Sequence, residues 1–413
     1  MQSGTRARSG GSGSPTPKSP SLGEQLEARV AQLWFWEGFY ARYGVNLQRY
    51  YQEPILVTDL DLFAFDFSPH LSLIKYIGEV KSGTGKNAEK PLDRLVWLRG
   101  LRELVGADAA ELTMAKGVTS RIRDLGRSLD VSAQSVQDFE RREINAVGKM
   151  ADLGSHGVSA LRLEQEVRET CKRVADLERA FWFLRGEVLF LDHFLAIKQL
   201  IDLLQGISKY WTPRLQDAEA RAVRWLASES VSILTLKLVA ASSTAVTLNR
   251  NDWDALVSER LAEGAVPMHQ MRKISDSVDK FVAGILSAAK VSPEIRTEAI
   301  GAFLPEPPDY AASLAELCWR LKSDAPVARV LPRQMDIFIF ERLTHQRYID
   351  ASVVGRLGLQ RDTFGRSRRL ISAFLRGCGA SFDELEQALV GPAMPGGGIT
   401  VEVHADEADA SEA

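Results

Sequence analysis

Two carboxylates interrupt an apolar run: Asp59-Leu60-Asp61 lies inside Ile55–Phe67. Side chains alternate along an extended strand, so Asp59 and Asp61 share one face. A carboxylate in an otherwise apolar strand is costly unless a partner or an ion offsets its desolvation. Eighteen residues beyond Asp61 comes Glu79-Val80-Lys81, at the end of a second apolar run, Leu73–Val80. Glu79 and Lys81 share a face in turn. If the two runs are neighbouring strands, two or three carboxylates and one ammonium meet at one sheet edge. Such a grouping suits hydrolysis of a phosphodiester. Carboxylate oxygens are hard ligands for Mg²⁺ or Mn²⁺. That ion polarises a phosphate and lowers the pKa of a bound water. Lys81 is the residue to position the water or to offset charge building on the phosphorus centre.

The elements that must carry these residues are legible from periodicity. Leu26, Val30, Leu33, Trp34 and Phe39 recur at helical spacing and predict a helix over Leu22–Tyr43. Ile55–Phe67 and Leu73–Val80 read as strands joined by a turn at Ser68–His70. A further strand is expected near Leu47–Tyr51. Ser82–Gly85 breaks the second strand. Pro91–Val105 reads as a helix, Ala110–Ala115 as a short strand, and Thr119–Glu143 as helix with a break near Asp130–Ser132. Residues 21–145 therefore read as a small α/β domain. Residues 146–390 show almost no strand signal, and Leu161–Ile201, Arg214–Val246, Gln270–Lys290 and Tyr310–Lys322 carry apolar residues at helical spacing. This is a large all-α domain. Residues 1–20 read as a Ser/Gly/Pro-rich arm. Residues 391–413 read as a tail whose acidic part, Val401–Ala413, follows the Pro/Gly run Pro392–Gly398.

Asp-x-Asp on one strand and Glu-Val-Lys-Ser on the next resembles the PD-(D/E)xK nuclease superfamily, the fold of many restriction endonucleases and Holliday-junction resolvases. Within Gly23-Glu24-Gln25-Leu26-Glu27, Glu27 stands where several of these nucleases carry a helix glutamate that completes the metal shell. Trp36-Glu37-Gly38-Phe39-Tyr40 is similar to the end of that helix. Thr58 stands where the motif's proline would be. The resemblance covers residues 21–145 and implies a restriction-endonuclease-like domain, a mixed central sheet flanked by helices. It implies Asp61, Glu79 and Lys81 as catalytic residues. It also implies Asp61, Glu79, Glu27 and Asp59 as ligands of Mg²⁺ or Mn²⁺, with Asp61 favoured over Asp59. The implied activity is metal-dependent cleavage of DNA, with RNA left open, in a defence, restriction or repair setting. The competing expectation is a nuclease-fold scaffold or nucleic-acid-binding protein that works through its helical domain.

Other features narrow the field. The 413 residues carry 51 basic and 54 acidic side chains, a net charge of −3, so any nucleic-acid surface must be local. One candidate is the helix after the Glu79–Lys81 strand, where Lys86, Lys90 and Arg94 precede Arg99 and Arg102. Trp97, on that helix, reads as core. A second candidate is Ile349–Phe374, which resembles a helix-turn-helix and places Arg366, Arg368 and Arg369 on its second helix. Gly83-Thr84-Gly85-Lys86 is no phosphate loop, because Val80 and Asn87 stand where glycine and Ser/Thr are required. Cys171, Cys318 and Cys378 form no CxxC pair and fit a reducing compartment. No secretory signal is read, and the apolar window Val231–Leu248 reads as a buried helix rather than a membrane span. A cytoplasmic location is expected, with a protein partner or a second copy engaged through the helical domain.

Overall fold

Sheet formation begins where the first helix is stopped. In the computed structural model, which describes residues 20–50, 54–83, 89–148, 153–212, 214–263, 268–289, 305–349 and 351–391, helix α1 spans Leu22–Glu37. Its start is a capping box. The Ser21 hydroxyl accepts from the Glu24 N–H at 3.2 Å, and the Ser21 N–H donates to Glu24 Oε2 at 2.7 Å. Its end is Gly38, whose φ of +125° breaks the helical path. The helix therefore stops at Glu37 and not at Tyr43. Tyr40–Tyr50 instead forms strand β1, whose last residues, Leu47–Tyr50, fall in the strand expected over Leu47–Tyr51; Tyr51 lies outside the described residues.

Strands β2 (Pro54–Phe67) and β3 (Leu73–Lys81) follow, close to the spans read from the sequence. Helix α2 (Pro91–Val105) begins with proline in its first turn and ends on Gly106 in the left-handed conformation. It returns the chain to β4 (Ala109–Met114). Helix α3 (Ser120–Ser128), strand β5 (Val131–Ser135) and helix α4 (Val136–Ala146) complete the unit. The break expected near Asp130 is thus a fifth strand. Five residues, VSAQS, are too few and too polar to display an alternating pattern. The sheet order is β1-β2-β3-β4-β5. β1, β2 and β3 run antiparallel, while β3–β4 and β4–β5 pair in parallel. The N-terminal unit is a mixed sheet flanked by helices, as expected.

From residue 153 onward the described elements are helical. α5 (Val158–Cys171), α6 (Ala175–Leu184), α7 (Glu187–Phe190), α8 (His193–Tyr210), α9 (Asp217–Thr244), α10 (Arg250–Ala262) and α11 (Met268–Ala288) precede α12 (Ala311–Ser323). α13 (Ala325–Ile339), α14 (Ala351–Arg356), α15 (Arg361–Gly377) and α16 (Asp383–Val390) end the described chain. α9 is buried along most of its length. Of the apolar window that has the length and hydropathy of a membrane span, 78% is buried inside the protein, so α9 is a core helix.

The buried apolar side chains form one cluster running from α1 and the sheet into these helices. The edge strand β1 is tied to them by charge as well. Arg42 is 3% exposed, and its guanidinium lies 3.1 Å from Glu229 of α9 and 2.7 Å from Asp336 of α13. Ser232, the Tyr40 hydroxyl and the Ala41 carbonyl complete its shell at 3.1, 2.6 and 2.8 Å. Buried charges are tolerated only when paired and hydrogen-bonded in this way.

Candidate active site

Pairing between β2 and β3 runs from Phe67↔Leu73 to Leu62↔Gly78 and stops there. The next residues outward are Asp61 and Glu79. The Val80 N–H donates to Asp61 Oδ2 at 2.7 Å, so a side chain takes over where the backbone ladder ends. Lys81 Nζ lies 3.0 Å from the same Asp61 oxygen and 2.8 Å from Glu79 Oε1. The three residues read from sequence as a catalytic set therefore converge on one ammonium. The Glu79 side chain is 5% exposed and that of Lys81 26%, so the cluster is buried on one side and open on the other.

Glu27 reaches this cluster because α1 crosses β3 at a glycine. A methyl group added at Gly78 would stand 2.8 Å from the Trp34 ring, so only glycine permits that approach. Glu27 lies two turns before Trp34, about 10 Å along the helix. Lys81 lies three residues beyond Gly78, also about 10 Å along the strand. The start of α1 and the end of β3 therefore meet. A methyl group added at Gly23 would in turn stand 3.8 Å from Ser82 Oγ. Burial pushes the Glu27 carboxyl up to about 7, and the charge of Asp61 adds to the shift. Burial, then Asp61, also raises Glu79 against the pull of Lys81 and Arg94. Burial lowers Lys81, but Asp61 and Glu79 outweigh it and leave the ammonium more firmly protonated than usual.

Asp59 lies further along the same face, exposed and opposite Asn46 of β1. Among the described residues, no three or more His, Cys, Asp or Glu side chains are disposed to hold a metal ion as they stand. Asp61 and Glu79 turn onto Lys81 instead. The donor chemistry nevertheless suits Mg²⁺ or Mn²⁺. Glu27, Asp61 and Glu79 are all hard oxygen donors. Burial raises Glu27 and Glu79 first and the charge of Asp61 adds to both, and that added repulsion is what a dication would relieve.

A polar cleft of about 320 Å³ opens beside the cluster. One wall carries Glu24, Glu27, Asp59 and Asp61; the other carries Glu164, Gln165 and Arg168 of α5, with Trp182 of α6 and Arg185 just after it. The walls are bonded together. The Tyr43 hydroxyl of β1 donates to Glu164 Oε2 at 2.7 Å, while Arg185, on the same wall as Glu164, lies 3.1 Å from Glu164 Oε1. The Asn46 N–H donates to the Arg185 carbonyl at 3.0 Å. None of these α5 and α6 residues was identifiable from the sequence, because each lies about a hundred residues beyond Asp61 and belongs to no motif.

The basic candidates fare unevenly. Lys86 lies outside the described residues. Lys90 is exposed at the N-cap of α2. Arg94 turns inward: it donates to Glu79 Oε1 at 3.3 Å and pairs with Glu89, so it belongs to the carboxylate cluster and not to an open phosphate-binding face. Arg99 and Arg102 both pair with Asp130. The outer face of α2 is largely apolar, with Leu92, Val96 and Leu104 exposed. Trp97 is 44% exposed and is not the core residue expected. α14 and α15 do form two helices around a turn at Gly358, whose φ is +60°. Arg366 and Arg369 are exposed on α15. Arg368 is not: it is 6% exposed, donates to the Leu389 and Gly391 carbonyls at 2.9 and 3.0 Å, and lies over the Phe338 ring at 4.2 Å. The expectation of Arg368 as a nucleic-acid contact is therefore corrected. Its spacing puts it on the helix face that packs inward.

No protein-family model matches the chain, and no curated protein matches it. Among solved structures, a crystal structure of a protein of unknown function, AF1548, aligns at 14% identity with a TM-score of 0.25, over 51% of this chain and 98% of that one. A likeness of that strength carries no argument about fold or function.

Proposed function

We propose that the chain is a metal-dependent nuclease that hydrolyses phosphodiester bonds in DNA, with Asp61, Glu79 and Lys81 as its catalytic centre. The observation that carries this is the convergence of the Asp61 and Glu79 carboxylates on the Lys81 ammonium, at 3.0 and 2.8 Å, where the β2–β3 ladder parts. The order helix, three antiparallel strands, helix and parallel strand supports the resemblance to the PD-(D/E)xK superfamily. A setting in defence, restriction or repair follows by fold analogy.

Asp61 and Glu79, together with Glu27, would hold Mg²⁺ or Mn²⁺, which would supply Lewis acidity at the phosphate and a more acidic bound water. The protein's own groups have distinct tasks. Asp61 is held in one orientation by the Val80 N–H. Glu79 is buried and keeps its position through Arg94 as well as Lys81. Lys81 is too firmly protonated to act as a base at neutral pH. It stabilises negative charge on the phosphate as that charge develops. Burial and the charge of Asp61 raise the Glu27 carboxyl to about 7 in the cation-free protein, so Glu27 would give up a proton at neutral pH on joining a dication.

The cleft walls carry more acid than base, so a phosphate enters only with cations present. The test is incubation of the purified chain with plasmid, linear and single-stranded DNA and with RNA, in Mg²⁺, in Mn²⁺ and in chelator. Cleavage in either ion, lost in chelator and in Asp61→Asn, supports the proposal. Intact substrates under every condition would leave a nuclease-fold scaffold as the better account.

A further inference from the structure

We infer that the strand this site takes is unpaired, with its phosphates in the polar cleft and a base lying on Trp182. The inference rests on the nuclease reading for the role of the carboxylates, but its evidence lies on the opposite wall. Trp182 lines two cavities at once: the polar cleft of about 320 Å³ and an apolar groove of about 800 Å³ that continues along α6 and α8 past Leu203 and Tyr210. The ring is 38% exposed. It stands edge-on to Phe181 at 5.2 Å, and Phe181 stacks on Trp225 at 5.3 Å, so the indole is braced from behind. A rigid aromatic surface of this kind stacks any base, because every base has a π-face.

The two cavities match the two halves of a nucleotide. A phosphodiester is charged and suits the side that holds Arg168 and Gln165 opposite Asp61. Arg168 Nε is buried without a hydrogen-bond partner, and its nearest acid, Glu169, stands 3.9 Å away. A base is flat and largely apolar on its faces and suits the groove beyond Trp182. Only an unpaired strand offers both together, since a duplex keeps its base faces inside the stack.

The test is fluorescence anisotropy of the full chain with a labelled oligothymidine and with a labelled blunt hairpin duplex of equal nucleotide number. Ca²⁺ replaces Mg²⁺ so that binding is read without turnover. The single strand should bind at least about tenfold more tightly than the hairpin. Trp182→Ala should remove roughly tenfold from single-strand affinity and nothing from hairpin affinity, while Trp182→Phe retains most of it. Arg168→Gln should reduce the salt slope for the single strand by about 0.7. Equal affinity of the wild-type chain for the two probes overturns the inference, whatever the variants do. Cleavage assays in Mg²⁺ separate this failure from that of the nuclease reading. A chain that cuts duplex as fast as single strands keeps its nuclease assignment and loses this one. A chain that prefers the single strand but cuts nothing keeps its strand-binding cleft and loses the nuclease.

Discussion

Lys81 Nζ stands 3.0 Å from Asp61 Oδ2, on the oxygen that also accepts the Val80 N–H. One carboxylate oxygen thus serves the backbone of β3 and its ammonium together. Lys81→Met removes the only cation that touches both Asp61 and Glu79 among the described residues. The cleavage rate should fall by about 10² to 10³, the loss typical of removing a preorganised charge from a reacting oxyanion. Strand affinity in Ca²⁺ should stay within a few-fold of wild type. A parallel loss of affinity and rate would make Lys81 an ordinary phosphate contact.

Asp61→Asn keeps an oxygen for the Val80 N–H but withdraws a charge from the donor set. Cleavage should drop by roughly 100-fold or more. Calorimetric Mg²⁺ binding should weaken in step, while Tm in chelator moves little, because the lost ion pair with Lys81 is offset by relief of Glu27 and Glu79. Wild-type cleavage by this variant would show that the site is misassigned.

Glu27 gives a pH-dependent readout that needs no substrate. Its pKa is raised from 4.5 to about 7, by burial first and by Asp61 second. The folded chain therefore keeps a proton that the unfolded chain loses, and stability falls as pH rises from 4.5 to about 7. The penalty is complete above that window. Glu27→Gln removes it, so the variant should gain on wild type by roughly 1–2 kcal/mol between about pH 5 and pH 8, less than the full shift implies because the side chain is partly exposed. Added Mg²⁺ should shrink the gap by stabilising wild type more. Urea midpoints for the two proteins that move in parallel across this range would refute the placement of Glu27 beside Asp61.

The parts of the site that lie on consecutive strands were legible, because alternation fixes which residues share a face. Asp61, Glu79 and Lys81 needed only that β2 and β3 be neighbours. Glu27 was reached through resemblance, and the physical cause of its placement, Gly78 beneath Trp34, carries no periodic signal. The cleft's far wall was invisible. Trp182, Arg168 and Glu164 sit on helices whose patterns report only that they are amphipathic. β5 was lost because pairing with β4 supplies its order and its own sequence does not. Arg94 and Arg368 show the limit of reading basic residues by count. Both lie on basic stretches, yet one completes a carboxylate cluster and the other is buried against helix carbonyls.

That last distinction is measurable. Arg368 donates to two main-chain oxygens near the end of α16 and lies over Phe338 and Phe364, with its Nε buried and unpaired. Burial lowers its pKa to about 10, and Arg369 and Arg342 add to the shift. Reversal of its charge would set a carboxylate against those same carbonyls, so Arg368→Glu should destabilise the fold by roughly 3–5 kcal/mol. Arg366 and Arg369 face solvent, and Arg366→Glu with Arg369→Glu should leave Tm unchanged. If α15 contributes to strand binding, this double variant flattens the salt dependence of single-strand affinity by about 1.4 in log–log slope, two contacts at about 0.7 each. Parallel salt titrations of the double variant and wild type would remove α15 from the binding surface and leave Arg168 as the cation that meets the strand.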